Sequence, residues 1–436
     1  MSLSIIVLAA GKGSRMNSSI PKVVHQVGNK PMIYHVHDVA LSMNPKLITT
    51  VISSDLESLS REKKNKKIKF VIQRSRNGTA DAVKIALKKN NSSNIKNTLI
   101  LYGDTPLVEG KTIKNALKYF IKKSLDLCVL AMSPQANEHA YGRLFFNNKS
   151  LVKIVEKTEM TKAQLENDLN ICNSGMMIFN TKKLLKYIEK VKNLNIKKEF
   201  YLTDLINIFH KNSLKSDYYL CDYEQCRGVN NMKELSNANK IFQDMRRNFF
   251  LNKGVFMEDP STVFFSADTS IEKDVKIQPN VYFGVGVTVK SNVLIKSFTH
   301  LENTIVNRNV TLGPFSRIRD NVEIGSDAKI GNFVEIKKSD IKKGVKISHL
   351  SYVGDAFIGK ETNIGAGSIT CNFDGKNKNR TIIGSDCFIG SNTSLIAPLQ
   401  IKKNSVIGAG TTVNKNIKEN SLIYRKSELV RKEKKK

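Results

Sequence analysis

The sequence predicts a two-part α/β chain. A doubly wound, Rossmann-like domain comes first, then a linker helix, then a left-handed parallel β-helix of hexapeptide repeats. Three observations carry this. Residues 1 to 228 alternate short β-rich runs with amphipathic helical patterns, which builds a mostly parallel sheet covered by helices on both faces. Residues 230 to 253 keep one helical period, and beyond them the apolar period switches to six.

The first part supplies the strand candidates SIIVLAA, LITTVISS, KIKFVIQ, NTLILYGD, LDLCVLAMS and NSGMMIFN. Between them, KPMIYHVHDVALSM, TADAVKIALKK and TIKNALKYFIKK place apolar residues at helical spacing. Ligands of such folds bind beyond the carboxyl ends of the strands. In the linker, Met232, Leu235, Ala238, Ile241, Met245 and Phe249 recur at three- and four-residue steps, with Asn230 or Asn231 as N-cap and Gly254 as the stop. Ile271, Ile277, Phe283, Val289, Ile295 and Leu301 then step by six. The series continues, with slips, through Ile318, Ile336, Val353, Ile364 and Ile389 to Val413. Each anchor points into a coil, and stacked coils bury a continuous core. The stretch CNFDGKNKNRT, residues 371 to 381, leaves the coil as a loop. The expected domains are therefore 1–232, a linker helix 233–253, and 254–436.

At 436 residues the chain exceeds one ordinary core, and no run approaches the ~18 consecutive apolar residues of a membrane span. The opening apolar run has no basic lead-in and no polar-then-small cleavage pattern after it, so it is not expected to be a secretory signal. Six cysteines are scattered without CxxC pairs, as expected of a cytoplasmic protein. The net charge of +31 is carried by lysines dispersed through every segment, without aromatic interleaving. That pattern suits polyanionic small substrates and argues against specific nucleic-acid recognition. Only the tail RKEKKK is a basic block.

In LAAGKGSRM a buried strand breaks into a loop that fits neither G-x-G-x-x-G nor the P-loop pattern. Gly11 and Gly13 allow positive φ, so backbone N–H groups can converge on an anion, and Lys12, Arg15 and Lys22 add cationic donors. Asp104 ends an apolar strand where a carboxylate can hold a magnesium ion, and VNN at residues 229–231 offers a second oxygen ligand. Gln73, Gly78 and Thr79 lie at a strand-to-helix turn suited to reading a base edge.

LAAGKGSRM, the following PK, NGTA, YGDTPL, YGR, VEK, NSGMM, FYLTD and GVNN occur in the order of a sugar-1-phosphate uridyltransferase domain. Joined to RIRD, GNFVEIKKS and SHLSYVGDAFIGKETNIGAGSITCNFDG, they make the whole chain resemble one family. These are the bacterial bifunctional N-acetylglucosamine-1-phosphate uridyltransferase/glucosamine-1-phosphate acetyltransferases. The resemblance implies that Leu8, Ala9, Ala10, Gly11, Arg15, Lys22, Gln73, Gly78 and Thr79 hold UTP. Tyr102, Gly103, Asp104, Gly142, Glu156, Asn173 and Asn230 would surround the sugar and a Mg²⁺ held by Asp104 and Asn230. In the second domain it implies His349 as the catalytic base and Arg319, Lys337, Tyr352 and Asn363 as ligands of glucosamine-1-phosphate. Ala366, Asn372, Phe373, Ser391, Ala409 and Arg425 match positions that contact acetyl-CoA. A homotrimer with acetyl-CoA between neighbouring subunits is implied as well, making UDP-N-acetylglucosamine for peptidoglycan and lipopolysaccharide synthesis. The chain departs from the family at Phe373, usually tyrosine, at Asp81, more commonly histidine, and in a segment one residue shorter before Arg425.

The residues support His349 independently. Acetylation of an amine needs a base that titrates near neutrality, and His349 stands in the polar stretch SHLSYVG, which a plain coil does not require. Counting coils stacks Glu335 over Tyr352 and brings that carboxylate toward His349, where it would orient the imidazole. Two alternatives compete: His349 with Lys337 and Asn363 argues against a nucleotidyltransferase whose β-helix only regulates or oligomerises, and the intact Arg15, Lys22 and Asp104 set against a non-enzymatic solenoid scaffold with a degenerate nucleotide domain.

Overall fold

A computed structural model describes residues 2–61, 65–89, 94–133, 141–148, 150–156, 159–161, 171–426 and 431–432. Most of the RKEKKK tail lies outside the described residues. The chain forms two compact units, Met1–Phe242 and Gln243–Lys436.

The first unit is built on a sheet whose strands run in the order Ser216–Cys221, Leu127–Met132, Cys172–Asn180, Asn97–Tyr102, Leu3–Ala9, Leu47–Ile52, Ile68–Ile72. Leu3–Ala9 is central and parallel to both neighbours, and Cys172–Asn180 is the antiparallel member. Every residue of Leu3–Ala9 is buried. Its alternate side chains feed different cores: Ile6 and Leu8 join one cluster, Leu3, Ile5 and Val7 another. A strand covered on both faces must be apolar throughout, which is why it reads as a run and not as an alternation. Helices Met32–Ser42, Thr79–Lys89 and Gly110–Lys122 supply the covers; the last buries Ile113, Ala116, Leu117 and Phe120, one stripe at helical spacing. Strands outside the expected set include Ser216–Cys221 on the sheet edge and the antiparallel pairs Arg143–Asn147 with Ser150–Val155 and Gln26–Val27 with Lys30–Pro31.

Met232–Asn252 is a single helix. Asn231 Oδ1 accepts the Glu234 N–H at 2.9 Å while the Glu234 carboxylate returns to the Asn231 amide at 2.7 Å, a reciprocal N-terminal cap. Gly254, at φ 85°, ends it.

The second unit is a parallel β-helix of hexapeptide repeats with three sheets of 10, 9 and 8 strands. Each coil contributes one short strand to each sheet, and successive coils pair in register, as in Ile277↔Ile295 and Ile318↔Ile336. The expected anchors form one unbroken core, Ile271, Ile277, Phe283, Val289, Ile295 and Leu301 all being 0–1% exposed. Residues 372–380 leave the coil as expected, closed by a Phe373↔Lys378 bridge and by the Asp374 carboxylate, which accepts the N–H groups of Lys376 and Asn377. Among the described residues no helix is long and apolar enough to cross a membrane.

Candidate active sites

In the first unit a cleft of about 1580 Å³ opens at the carboxyl ends of the parallel strands. Leu8, Ala9 and Ala10, at the end of the central strand, line it together with Gly11, Arg15, Lys22, Gln73, Gly78, Thr79, Tyr102, Asp104, Glu156, Asn173 and Asn230. Of the loop glycines only Gly13 takes positive φ, at 65°, where a Cβ would also come within 2.7 Å of the Lys22 Cβ. Gly11 does not use the positive φ that glycine allows and stands in open space. Gly103 and Gly142 do not line the cleft. Gly103 donates its N–H to Leu8 O at 2.9 Å, and Gly142 O accepts the Asn173 N–H at 2.8 Å, so both fix neighbouring site residues.

Charge converges on the cleft floor. The Lys22 ammonium is ion-paired with Asp104 and donates to Asn230 Oδ1 at 3.3 Å, and Arg15 Nη2 reaches the same oxygen at 3.0 Å. Glu234 accepts both the backbone N–H and the side-chain amide of Asn230, which turns the Asn230 oxygen toward the cations. Val229 N–H donates to Asp104 O at 2.9 Å and ties that loop to the Asp104 strand end. Burial pushes the Glu156 carboxyl above its usual range, and the Glu159 charge adds to this.

The cleft also holds residues that the sequence reading did not assign: Asp55, Arg76, Lys197, Glu199, Tyr201 and Thr203. Three belong to the FYLTD stretch or flank it, and that motif was the available signal. Its backbone clamps the turn at residues 77–80. Phe200 N–H donates to Asn77 O at 2.7 Å, Ala80 N–H to Phe200 O at 2.8 Å, and Leu202 N–H to Thr79 Oγ1 at 3.0 Å. Gly78, at φ 112°, passes so close to Phe200 that a Cβ would lie 2.5 Å from its carbonyl oxygen. Only glycine fits there.

In the second unit Arg319, Lys337 and Tyr352 share one sheet, where Arg319 stands against Lys337 and, two residues away, Glu335 against Tyr352. The counted register is right, but the contact inferred from it is not. The Glu335 carboxylate accepts from Arg319 Nε at 2.8 Å, and the imidazole of His349 meets Asn332 instead, Nδ1 to Oδ1 2.6 Å. Asp320 accepts from Arg319 Nη1 at 2.8 Å and lies 3.6 Å from Lys337 Nζ. Asn363 is on the neighbouring sheet, two coils on from Asn332 and one from His349.

His349 sits at a coil corner with a column of small residues following it. The bond from Gly367 N–H to Leu350 O sets Ala366 against His349, Asn392 N–H to Ala366 O brings in Ser391, and Gly410 N–H to Ser391 O brings in Ala409. Counting on from Ile407↔Ile423 sets Arg425 against Ala409. Asn372 donates to Asp355 and, at 3.4 Å, to the Tyr352 hydroxyl, while Phe373 is 55% exposed on the protruding loop beside Lys378.

A Rossmann-like cleft that gathers cations at strand ends, followed by a hexapeptide β-helix, defines a nucleotidyltransferase joined to an acyltransferase-type coil. The nucleotidyl transferase family profile matches residues 4–224, a GMPPB C-terminal domain profile residues 300–395, and the bacterial transferase hexapeptide profile residues 380–415. Proteins named bifunctional protein GlmU are 41% identical in Wolbachia pipientis, over 98% of both chains, and 42% identical in Paramagnetospirillum magneticum, over 96% of this chain and 92% of the relative. The chain belongs to the GlmU family. It is a bifunctional enzyme, an N-acetylglucosamine-1-phosphate uridyltransferase and a glucosamine-1-phosphate acetyltransferase.

Proposed function

We propose that residues 1–232 carry uridyl transfer and residues 254–436 acetyl transfer, acetylation coming first. The observation that carries the assignment is the convergence of Lys22 and Arg15 on Asp104 and Asn230, with His349 heading a separate column in the other unit.

For uridyl transfer, a phosphate oxygen of N-acetylglucosamine-1-phosphate attacks the α-phosphorus of UTP in line and pyrophosphate leaves. Arg15 and Lys22 neutralise charge on the triphosphate, and the residues around Gly11 leave open backbone for it. Gln73, Gly78 and Thr79 face the base, and Tyr102, Glu156 and Asn173 the sugar, with Gly142 holding Asn173 through its carbonyl. Asp104 and Asn230 turn a carboxylate and an amide oxygen toward one cation, the Lys22 ammonium. Two hard oxygen donors on a single point fit Mg²⁺, which keeps its remaining positions for water and phosphate. Bound there, the ion would supply further charge neutralisation on the triphosphate.

For acetyl transfer, Arg319 and Lys337 bind the sugar phosphate, with Tyr352 and Asn363 at its flanks. With Nδ1–H donated to Asn332, the Nε2 of His349 is free to take a proton from the substrate ammonium. The freed amine attacks the thioester carbonyl of acetyl-CoA, the C–S bond breaks, and the coenzyme A thiolate leaves. The column Ala366, Ser391, Ala409, spaced at roughly 4.8 Å per coil, offers a shallow track for the extended acyl carrier. Arg425 at its far end supplies a cation for the carrier's phosphates.

Two features of the coil support a homotrimer. The sugar-phosphate residues are divided between two sheets, with Asn363 apart from Arg319 and Lys337. At the same corner Phe298, Phe315 and Phe333 stack in parallel, centroids 4.7 and 5.2 Å apart, and each is about half exposed; Leu350 at 61% continues the stack. Exposed apolar ladders of this kind mark association surfaces. Six free thiols agree with a cytoplasmic setting.

The experiment is a coupled assay with glucosamine-1-phosphate, acetyl-CoA, UTP and Mg²⁺, read as UDP-N-acetylglucosamine. Nucleotide sugar formed only when N-acetylglucosamine-1-phosphate is supplied would overturn the acetyltransferase half. Mass measurement in solution tests the trimer, and Phe315→Asp is expected to give monomers.

A further inference from the structure

We infer that Asp81 is a specificity-determining residue: it fixes the amide of Gln73 so that the cleft accepts a uracil and rejects a cytosine. This rests on the reading above that Gln73 faces the base of the nucleotide.

Gln73 is 3% exposed, follows the strand Ile68–Ile72, and is held by its backbone N–H to Ile52 O at 2.8 Å. Its side chain lines the cleft, so one end of the amide is available to a ligand. Which end is decided by two neighbours. The Nε2 lies 2.7 Å from Asp81 Oδ2 and 3.1 Å from Gly78 O. A carboxylate and a carbonyl are acceptors only, and an amide oxygen turned toward them would set lone pair against lone pair. The –NH₂ group is therefore committed to the protein, and the carbonyl oxygen is the end that Gln73 presents to a base.

That oxygen requires a donor from the base. Uracil carries an N3–H between its two carbonyls. Cytosine carries a lone pair at N3 and an amino group beside it, so against a fixed acceptor it brings repulsion and an unmatched donor. Discrimination by a buried group left unpaired is larger than discrimination by shape alone. Asp81 is held in position by the first turn of the helix Thr79–Lys89. Gly78 O alone would hold the amide by a single longer contact.

The test compares UTP and CTP as donors to N-acetylglucosamine-1-phosphate in the wild type, Asp81→Ala and Asp81→Asn, reading kcat and KM from pyrophosphate release. Asp81→Ala is expected to lower the ratio of kcat/KM for UTP over CTP about tenfold or more, mostly through KM. Asp81→Asn, which can offer either end of its own amide, should lower the ratio by a smaller factor. Thermal unfolding and circular dichroism of the same preparations, matched to the wild type, report that the unit carrying Asp81, residues 1–242, is folded. A UTP/CTP ratio unchanged in Asp81→Ala, with the wild type using UTP, overturns this inference and leaves the uridyltransferase reading intact. A wild type that releases no pyrophosphate from UTP defeats that reading itself.

Discussion

The Nδ1 of His349 lies 2.6 Å from the Oδ1 of Asn332, its register partner one coil earlier. An amide oxygen accepts, so the proton sits on Nδ1 and the Nε2 lone pair is the one available for catalysis. Asn332→Ala should leave the ring free to take the wrong tautomer and to rotate. The expected loss in kcat for acetyl transfer is about 10- to 100-fold, with little change in the KM for glucosamine-1-phosphate. Asn332→Asp should move the pH–rate profile instead, its acid limb shifting upward as a carboxylate favours the imidazolium. An unchanged kcat in Asn332→Ala would reduce the contact to a packing detail.

On the function proposed above, Glu335 would act through the phosphate ligand Arg319 of the same site. Its carboxylate fixes the Arg319 guanidinium through Nε, and Asp320 holds Nη1. Glu335→Gln is expected to raise the KM for glucosamine-1-phosphate several-fold while leaving the acid limb of the profile in place. A shifted limb with unchanged KM would point back to direct coupling with His349.

Because the two sites occupy separate compact units, their chemistry should separate. Asp104→Ala should abolish uridyl transfer and spare acetyl transfer; His349→Ala should do the reverse. Loss of both activities in a folded variant would contradict the two-site assignment.

Stability should fall on mild acidification because of His37. Its ring is buried, bonded through Nε2 to Thr50 Oγ1 at 2.8 Å, and burial lowers its pKa to about 4, outweighing the Asp38 carboxylate. The unfolded chain therefore binds a proton that the folded one does not. Stability from this group is complete above the unfolded value of about 6.5 and is lost as pH falls toward 4. Urea unfolding should show the wild type losing about 2 kcal/mol between pH 7 and pH 5 from this group. His37→Gln should flatten that slope, whatever its effect on stability at pH 7.

Much of the fold is legible in the residues because it is local. A six-residue step between apolar anchors has one solution, a coil whose edges stack, and the chain follows it from Ile271 to Val413. The central strand and the covering helices are legible for a similar reason: apolar runs and helical stripes record burial directly. The pair Arg143–Asn147 and Ser150–Val155 and the edge strand Ser216–Cys221 were harder to see. They are half-exposed, so their patterns are mixed with polar residues and their identity depends on the partner they find.

The sequence by itself determined which residues stand near which. Spacing placed Asp104 at a strand end, Arg15 and Lys22 around the opening loop, and Glu335 opposite Tyr352. Only the tertiary structure decided where each side chain turns. Arg319 and His349 both lie within reach of the Glu335 coil, and it is the direction of the side chains that pairs Glu335 with one and Asn332 with the other. The same holds for Gln73, whose two amide ends are equivalent on paper and are told apart by the carboxylate of Asp81. Backbone period fixes position to within a coil, whereas hydrogen-bond partners are chosen at distances of about 3 Å among competing donors and acceptors. That choice depends on neighbours far away in sequence, which no local pattern records.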